Sequence, residues 1–224
     1  MLLLSACRVL TQSVAKYVAP ILLCKALVLA LLQPAAAFAD TLRLVAIGDS
    51  LTHGYGLAPQ DGFVPQLEAW LKDQGRDVQV VNMGVSGDTT EGGRARLGWA
   101  LADGADAVIV ELGGNDMLRG IDPAVSRANL AAMLQELGNL GMPALLTGIE
   151  APLNYGADYK ASFDGMYVEL AAQYDAVLYA NFLAEIDGAG MMQPDGIHPN
   201  ADGVAAIVRG IGPKVLELLD RAAP

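Results

Sequence analysis

Four separate stretches of this chain hold the residue types that acyl transfer needs. Ser50 lies in GDSLTHGYG, Gly87 in NMGVSGDTT, Asn115 in ELGGND, and Asp195 and His198 in DGIHPN. A serine hydroxyl is a weak nucleophile near neutral pH and needs a base whose pKa lies close to 7. An imidazole meets that need, and a carboxylate on its other ring nitrogen fixes the tautomer and steadies the imidazolium as it forms. Amide N–H groups can then hold the oxyanion of a tetrahedral intermediate. Ser50 as nucleophile, His198 as base, Asp195 as its orienter, and the Ser50 and Gly87 backbone N–H groups with the Asn115 amide as oxyanion donors supply every part.

Each residue also has a plainer reading. Ser50 could cap a helix starting near residue 51. Asn115 could close an Asx-turn after a strand, and Asp195 with His198 could satisfy backbone groups in a capping loop. Gly84 competes with Gly87 as a backbone donor, since either could bring the main chain close to a ligand. His53, the other histidine, lies three residues from Ser50 and reads as a rim or surface residue. Asp116 reads as an acceptor for loop N–H groups. Thr52 stands where G-x-S-x-G needs its last glycine, so the nucleophile elbow of α/β-hydrolases is absent.

The elements between these stretches decide whether they can meet. Short apolar runs at residues 42–47, 78–81, 107–112, 143–149 and 176–179 read as strands, the third apolar except for Glu111. Helical patterns separate them at 63–74, 89–102, 123–140, 159–174 and 201–219. Phe63, Leu67, Trp70 and Leu71 share one helix face, and Val204, Ile207, Val208, Ile211, Val215 and Leu218 share another. Asp122 before Pro123 is an N-cap signal, whereas Gly92-Gly93 weaken the second helix. Strands apolar on both sides and alternating with helices predict a parallel sheet covered on both faces, a three-layer α/β/α sandwich. Ser50, Gly87 and Asn115 then follow the first, second and third strands. The carboxyl edge of such a sheet is where sites form. Asp195 and His198 precede the last helix and can reach the same rim.

The first 39 residues carry Arg8, Lys16 and Lys25, no acid, a seven-residue apolar run at 26–32, Pro34, and small residues at Ala37 and Ala39. That is the pattern of a secretory signal peptide, cut before Asp40. The apolar run is far shorter than the roughly 20 residues that span a bilayer. LSAC at residues 4–7 resembles a lipoprotein box but has no apolar segment before it. Residues 40–224 are then one domain, exported to the periplasm or secreted. Removing the leader takes three of the 14 basic residues and none of the 25 acidic ones, which leaves a net charge of −14. Such a surface argues against nucleic acid and against docking on anionic lipid. Cys7 and Cys24 both lie in the leader, so the mature chain has no disulfide, thiol nucleophile or cysteine-bound zinc.

The four stretches together resemble the SGNH (GDSL) hydrolases, whose eponymous Ser, Gly, Asn and His correspond to Ser50, Gly87, Asn115 and His198. VVNMGVSGDTT, VELGGNDMLRG, PLNYGADY and QPDGIHPN bring the chain nearest to the bacterial periplasmic acyl-thioesterase, lysophospholipase and arylesterase group. The resemblance covers nearly all of residues 40–224. It implies a flavodoxin-like sheet of five parallel strands, no metal and no cofactor, and hydrolysis of aryl and acyl esters and thioesters. The expected form is a monomer without a stable membrane anchor, acting on a small-molecule or lipid ester. In that group, residues matching 148–158 border the acyl site, so an acid at Glu150 bears on acyl preference. Two other readings fit the same sequence: an O-acetyl esterase acting on sugars or cell-wall glycan, and a non-enzymatic flavodoxin-like binding module. The second lacks G-K-[ST] and places Asp49 where a phosphate would want a cation.

Overall fold

Parallel pairing of five strands sets the architecture of residues 41–222, which the computed structural model describes. The leader, its cleavage point, Cys7 and Cys24 lie outside the described residues. Strand β1 (Leu42–Gly48) pairs on one side with β2 (Val78–Gly84) and on the other with β3 (Ala107–Glu111). Beyond β3 come β4 (Ala144–Thr147) and β5 (Val177–Tyr179), which completes a parallel sheet in the order β2-β1-β3-β4-β5. All five residues of β3 are buried, and so are Leu44 to Gly48 of β1. A sheet covered on both faces demands that apolarity.

Helices α2 (Phe63–Asp73) and α8 (Ala201–Ala222) cover one face. Their stripes bury Phe63, Leu67 and Leu71 against Val204, Ile207, Ile211, Val215 and Leu218. The opposite face is covered by α4 (Leu97–Ala100), α6 (Pro123–Asn139) and α7 (Ala157–Gln173), through Leu97, Leu130, Met133, Leu137, Phe163, Met166 and Leu170. The three-layer sandwich is therefore the observed fold. Asp122 caps α6 by accepting from the Ala124 N–H, as its place before Pro123 predicts.

The expected helix over 89–102 is two pieces, α3 (Thr90–Ala95) and α4, which break at Arg96. Gly92-Gly93 weaken the first turn, and the Arg96 guanidinium reaches to the sheet edge instead of lying along a helix. Strand β2 runs three residues past the expected end because Asn82 to Gly84 pair with Ala46 to Gly48. Polar Asn82 and Gly84 hid that extension. Two short helices, α1 (Ser50–His53) and α5 (Gly114–Leu118), stand where the sequence predicts only a helix start and an Asx-turn. Neither is long enough to show helical periodicity.

Ile211 is fully buried where α8 meets α2 and the sheet. Truncating such a side chain typically costs about 2–5 kcal/mol, because a cavity remains. Ile211→Ala is expected to lower Tm by about 5–15 °C. A thermal melt by circular dichroism checks this, and KM measured well below the transition should stay unchanged.

Candidate active site

Asp49 shapes the start of the site. It caps α1: its Oδ1 accepts the Leu51 N–H at 2.9 Å. The cap is therefore Asp49 and not Ser50, so the Ser50 hydroxyl is free of that duty. Gly84 lies against the turn, and a Cβ there would collide with the His53 backbone. Only glycine lets β2 end so close to α1.

The Ser50 Oγ lies 2.9 Å from His198 Nε2, and His198 Nδ1 lies 2.7 Å from Asp195 Oδ2. With the proton on Nδ1, the ring donates to Asp195 and Nε2 accepts the serine O–H. Asp195 Oδ1 accepts the Ile197 and His198 backbone N–H groups at 2.9 and 3.0 Å. The capping-loop reading of this segment is thus half realised. One carboxylate oxygen folds the turn and the other holds the imidazole. These N–H donors, led by the His198 backbone and followed by its ring, pull the Asp195 carboxyl down to about 2.

Other contacts fix the loop. Gln193 N–H donates to the His198 carbonyl at 2.8 Å, and the Gln193 side-chain amide donates to the Tyr55 and Pro199 carbonyls at 2.8 and 3.0 Å. The Tyr55 ring packs on the His198 ring with centroids 4.6 Å apart. Asn200 caps α8 by accepting the Gly203 N–H.

Residues Val85 to Asp88 form a turn closed by the Asp88 N–H on the Val85 carbonyl at 3.0 Å, with Gly87 at φ +83°. That value suits the third residue of a type II turn and favours glycine. The Gly87 carbonyl accepts from Arg119 Nη2 at 2.6 Å. Among the described residues, the Ser50 and Gly87 backbone N–H groups have no acceptor in the protein. Gly84, the rival donor, gives its N–H to Asn82 Oδ1 at 2.9 Å and does not line the cavity. The Asn115 amide donates to Asp49 Oδ2 at 3.0 Å, which orients its nitrogen and leaves a second N–H available. Ser50, Gly87, Asn115 and His198 share one cavity of about 430 Å³, lined otherwise by largely apolar side chains such as Met117, Leu118, Ile149, Leu183, Met192 and Ile197.

The remaining residues singled out in the sequence fall as follows. His53 is exposed, its Nδ1 3.2 Å from the Gly84 carbonyl. Asp116 is buried and accepts from the Thr90 N–H, Thr90 Oγ1 and Ser126 Oγ, so it is a structural acceptor. Glu150 is exposed, pairs with Lys160 at 3.6 Å and does not line the cavity, whereas its neighbour Ile149 does.

Sequence reasoning missed Arg96. Its guanidinium donates to Asp88 Oδ2 at 2.6 Å, to the Met83 carbonyl at 2.7 Å and to the Gly48 carbonyl at 2.9 Å. It thereby ties the ends of β1 and β2 to the Gly87 turn. Asp49 and Glu111 were also missed as partners. The one charge in an otherwise apolar strand was the available signal for Glu111. Among the described residues, no group of three His, Cys, Asp or Glu side chains could hold a metal ion.

This arrangement can activate a hydroxyl and stabilise an oxyanion beside it. Residues 46–206 match the GDSL-like Lipase/Acylhydrolase family. The chain belongs to this family. It is 42% identical to esterase TesA of Pseudomonas aeruginosa over 198 residues, 88% of this chain and 96% of that one. It is 40% identical to the Escherichia coli protein named thioesterase 1/protease 1/lysophospholipase L1 over 179 residues, 79% of this chain and 83% of that one. The crystal structure of TesA superposes with a TM-score of 0.74 at 42% identity, covering 79% of this chain and 99% of that one. AlinE4, an SGNH-hydrolase family esterase, superposes with a TM-score of 0.69 at 42% identity, covering 82% and 99%. The chain is a serine ester hydrolase of the SGNH type.

The depressed pKa of Asp195 sets a pH window. A carboxyl that ionises near 2 when folded and near 3.8 when unfolded adds stability above about pH 4, and that stability is lost as pH falls towards 2. The stability advantage of the wild type over Asp195→Asn should shrink as pH falls from about 4 towards 2. Urea titrations at a series of pH values measure it. A difference that grows as pH falls below about 4 contradicts the assignment.

Proposed function

We propose that Ser50 attacks the carbonyl of an ester or thioester while His198 takes its proton. Asp195 keeps the imidazole in the right tautomer and balances its positive charge. The Ser50 and Gly87 backbone N–H groups and the Asn115 amide receive the oxyanion. His198 then protonates the leaving group. Water activated by the same imidazole releases the acyl group from Ser50. The observation that carries this reading is the continuous hydrogen-bond chain from Ser50 through His198 to Asp195 at the wall of an apolar cavity.

The cavity supports the choice of substrate. Methionine, leucine and isoleucine side chains suit a hydrocarbon chain better than a sugar ring, so aryl esters, acyl thioesters and lysophospholipids are the substrates proposed. The names of the relatives point the same way. A monomer exported through the leader is the matching cellular form. The leader's composition supports export, and among the described residues no helix is long and apolar enough to cross a membrane.

Ser50→Ala should lower kcat on an aryl ester by about 10⁵- to 10⁶-fold while the far-ultraviolet circular dichroism spectrum stays unchanged. Undiminished turnover by that purified variant refutes the nucleophile. On the wild type, decanoyl esters should outpace acetylated sugars in kcat/KM. The reverse order would establish glycan deacetylation instead.

A further inference from the structure

Glu111 closes β3 inside the sheet, with only 2% of its surface exposed. Its Oε2 accepts the Thr52 hydroxyl at 2.9 Å and the Asp49 N–H at 3.4 Å. Its carboxyl also contacts that of Asp49, which is equally buried. Two carboxyl groups in contact away from water cannot both ionise, so the pair holds one proton. The donors decide where it resides. Asp49 receives an amide N–H on each oxygen, from Leu51 and from Asn115. Glu111 receives one hydroxyl and one long N–H contact. Asp49 is therefore the ionised member, and Glu111 is the neutral acid.

The geometry points to Glu111 as a positioning residue, a neutral acid that donates a hydrogen bond to Asp49 and so holds the carboxylate that aims the Asn115 amide at the oxyanion. This rests on the roles proposed above for Ser50 and Asn115. The hydrogen bond also draws charge away from the side of Asp49 that faces the cavity. An undiluted carboxylate there would oppose the negative charge that develops on the substrate oxygen.

Burial and the Asp49 charge push the Glu111 carboxyl well above the usual range, whereas the Leu51 N–H, Glu111 and the Asn115 amide restrain the rise at Asp49. The groups around the pair come from every neighbouring element. Asp49 and Thr52 face it from the first turn and α1. Tyr167 faces it from α7 with its hydroxyl donating to the Leu112 carbonyl. Asp116 lies on α5, His198 across the cavity, and Arg96 reaches the Gly48 carbonyl from the α3–α4 break. A carboxyl whose folded pKa is raised favours the fold while neutral, and that contribution is lost as pH rises through the folded value. Ionising Glu111 places a second negative charge beside Asp49, so turnover falls in the same direction.

The test compares wild type, Glu111→Gln, Glu111→Leu and Ser50→Ala by infrared spectroscopy and by kcat and KM against pH on an aryl ester. The wild type should show a protonated-carboxyl band near neutral pH that is missing from Glu111→Gln. Glu111→Gln, whose amide can still donate to Asp49, should keep kcat within about threefold and lose the alkaline decline. Glu111→Leu should lose about 10- to 100-fold in kcat with KM shifted less than about twofold, somewhat less than deletion of an oxyanion donor. The proposal is overturned if the wild type lacks the band, or if Glu111→Gln loses as much kcat as Glu111→Leu. Should Glu111→Leu fail to fold, the band and the Glu111→Gln profile decide alone. Full activity in Ser50→Ala would refute the catalytic reading itself, whereas an inactive Ser50→Ala with unaffected Glu111 variants would refute only this inference.

Discussion

Gly48 stands opposite Gly84 on one side and Glu111 on the other, in the register of two parallel ladders. That shared level is the constraint on which the site depends. It ends three strands together, so the residues that follow each strand emerge on one rim. In the order β2-β1-β3-β4-β5 the chain changes direction between β1 and β3, and crevices form at such switch points. Ser50 and Asn115 flank that crevice, and Arg96 hydrogen-bonds to the ends of β1 and β2 and to the turn that holds Gly87. The imidazole arrives from the far end of the chain, on a short loop anchored by Gln193 and by the cap of α8.

The electrostatics of this rim are unusual for a site that must favour an oxyanion. Two buried carboxyl groups lie beneath it, and the protein as a whole is acidic. Local hydrogen bonding outweighs net charge here, because donors within 3 Å act in a shielded cavity while surface charges are screened by solvent. Asp49 uses its own charge constructively: it caps α1, which frees Ser50, and it orients the Asn115 amide. Asp195 is more exposed, and its N–H donors keep it ionised.

The four chemical stretches and the layer order were legible in the sequence because they follow from local rules. Apolar runs of strand length alternate with 3.6-residue periodicity, and strand ends in a parallel sheet point one way. Ser50, Gly87, Asn115, Asp195 and His198 could therefore be placed on one edge from the sequence alone. What stayed hidden were contacts between residues far apart in sequence. Asp49 meets Glu111 across 62 residues and Asn115 across 66, and Arg96 meets Gly48 across 48. A charge in a motif or on a short helix looks local until the sheet brings its partner alongside. Gly87 was preferred to Gly84 from the sequence, but the bond that sets the two apart, the Gly84 N–H on Asn82 Oδ1, is not visible there.

The most direct measurement is a crystal structure of the protein inactivated by an alkyl phosphonate, whose tetrahedral phosphorus mimics the acyl-transfer intermediate. The phosphorus should be bonded to Ser50 Oγ, with one phosphonyl oxygen within about 3 Å of the Ser50 N–H, the Gly87 N–H and the Asn115 amide, and His198 still held by Asp195. A phosphonate attached elsewhere, or an oxygen that points away from all three donors, would contradict the account.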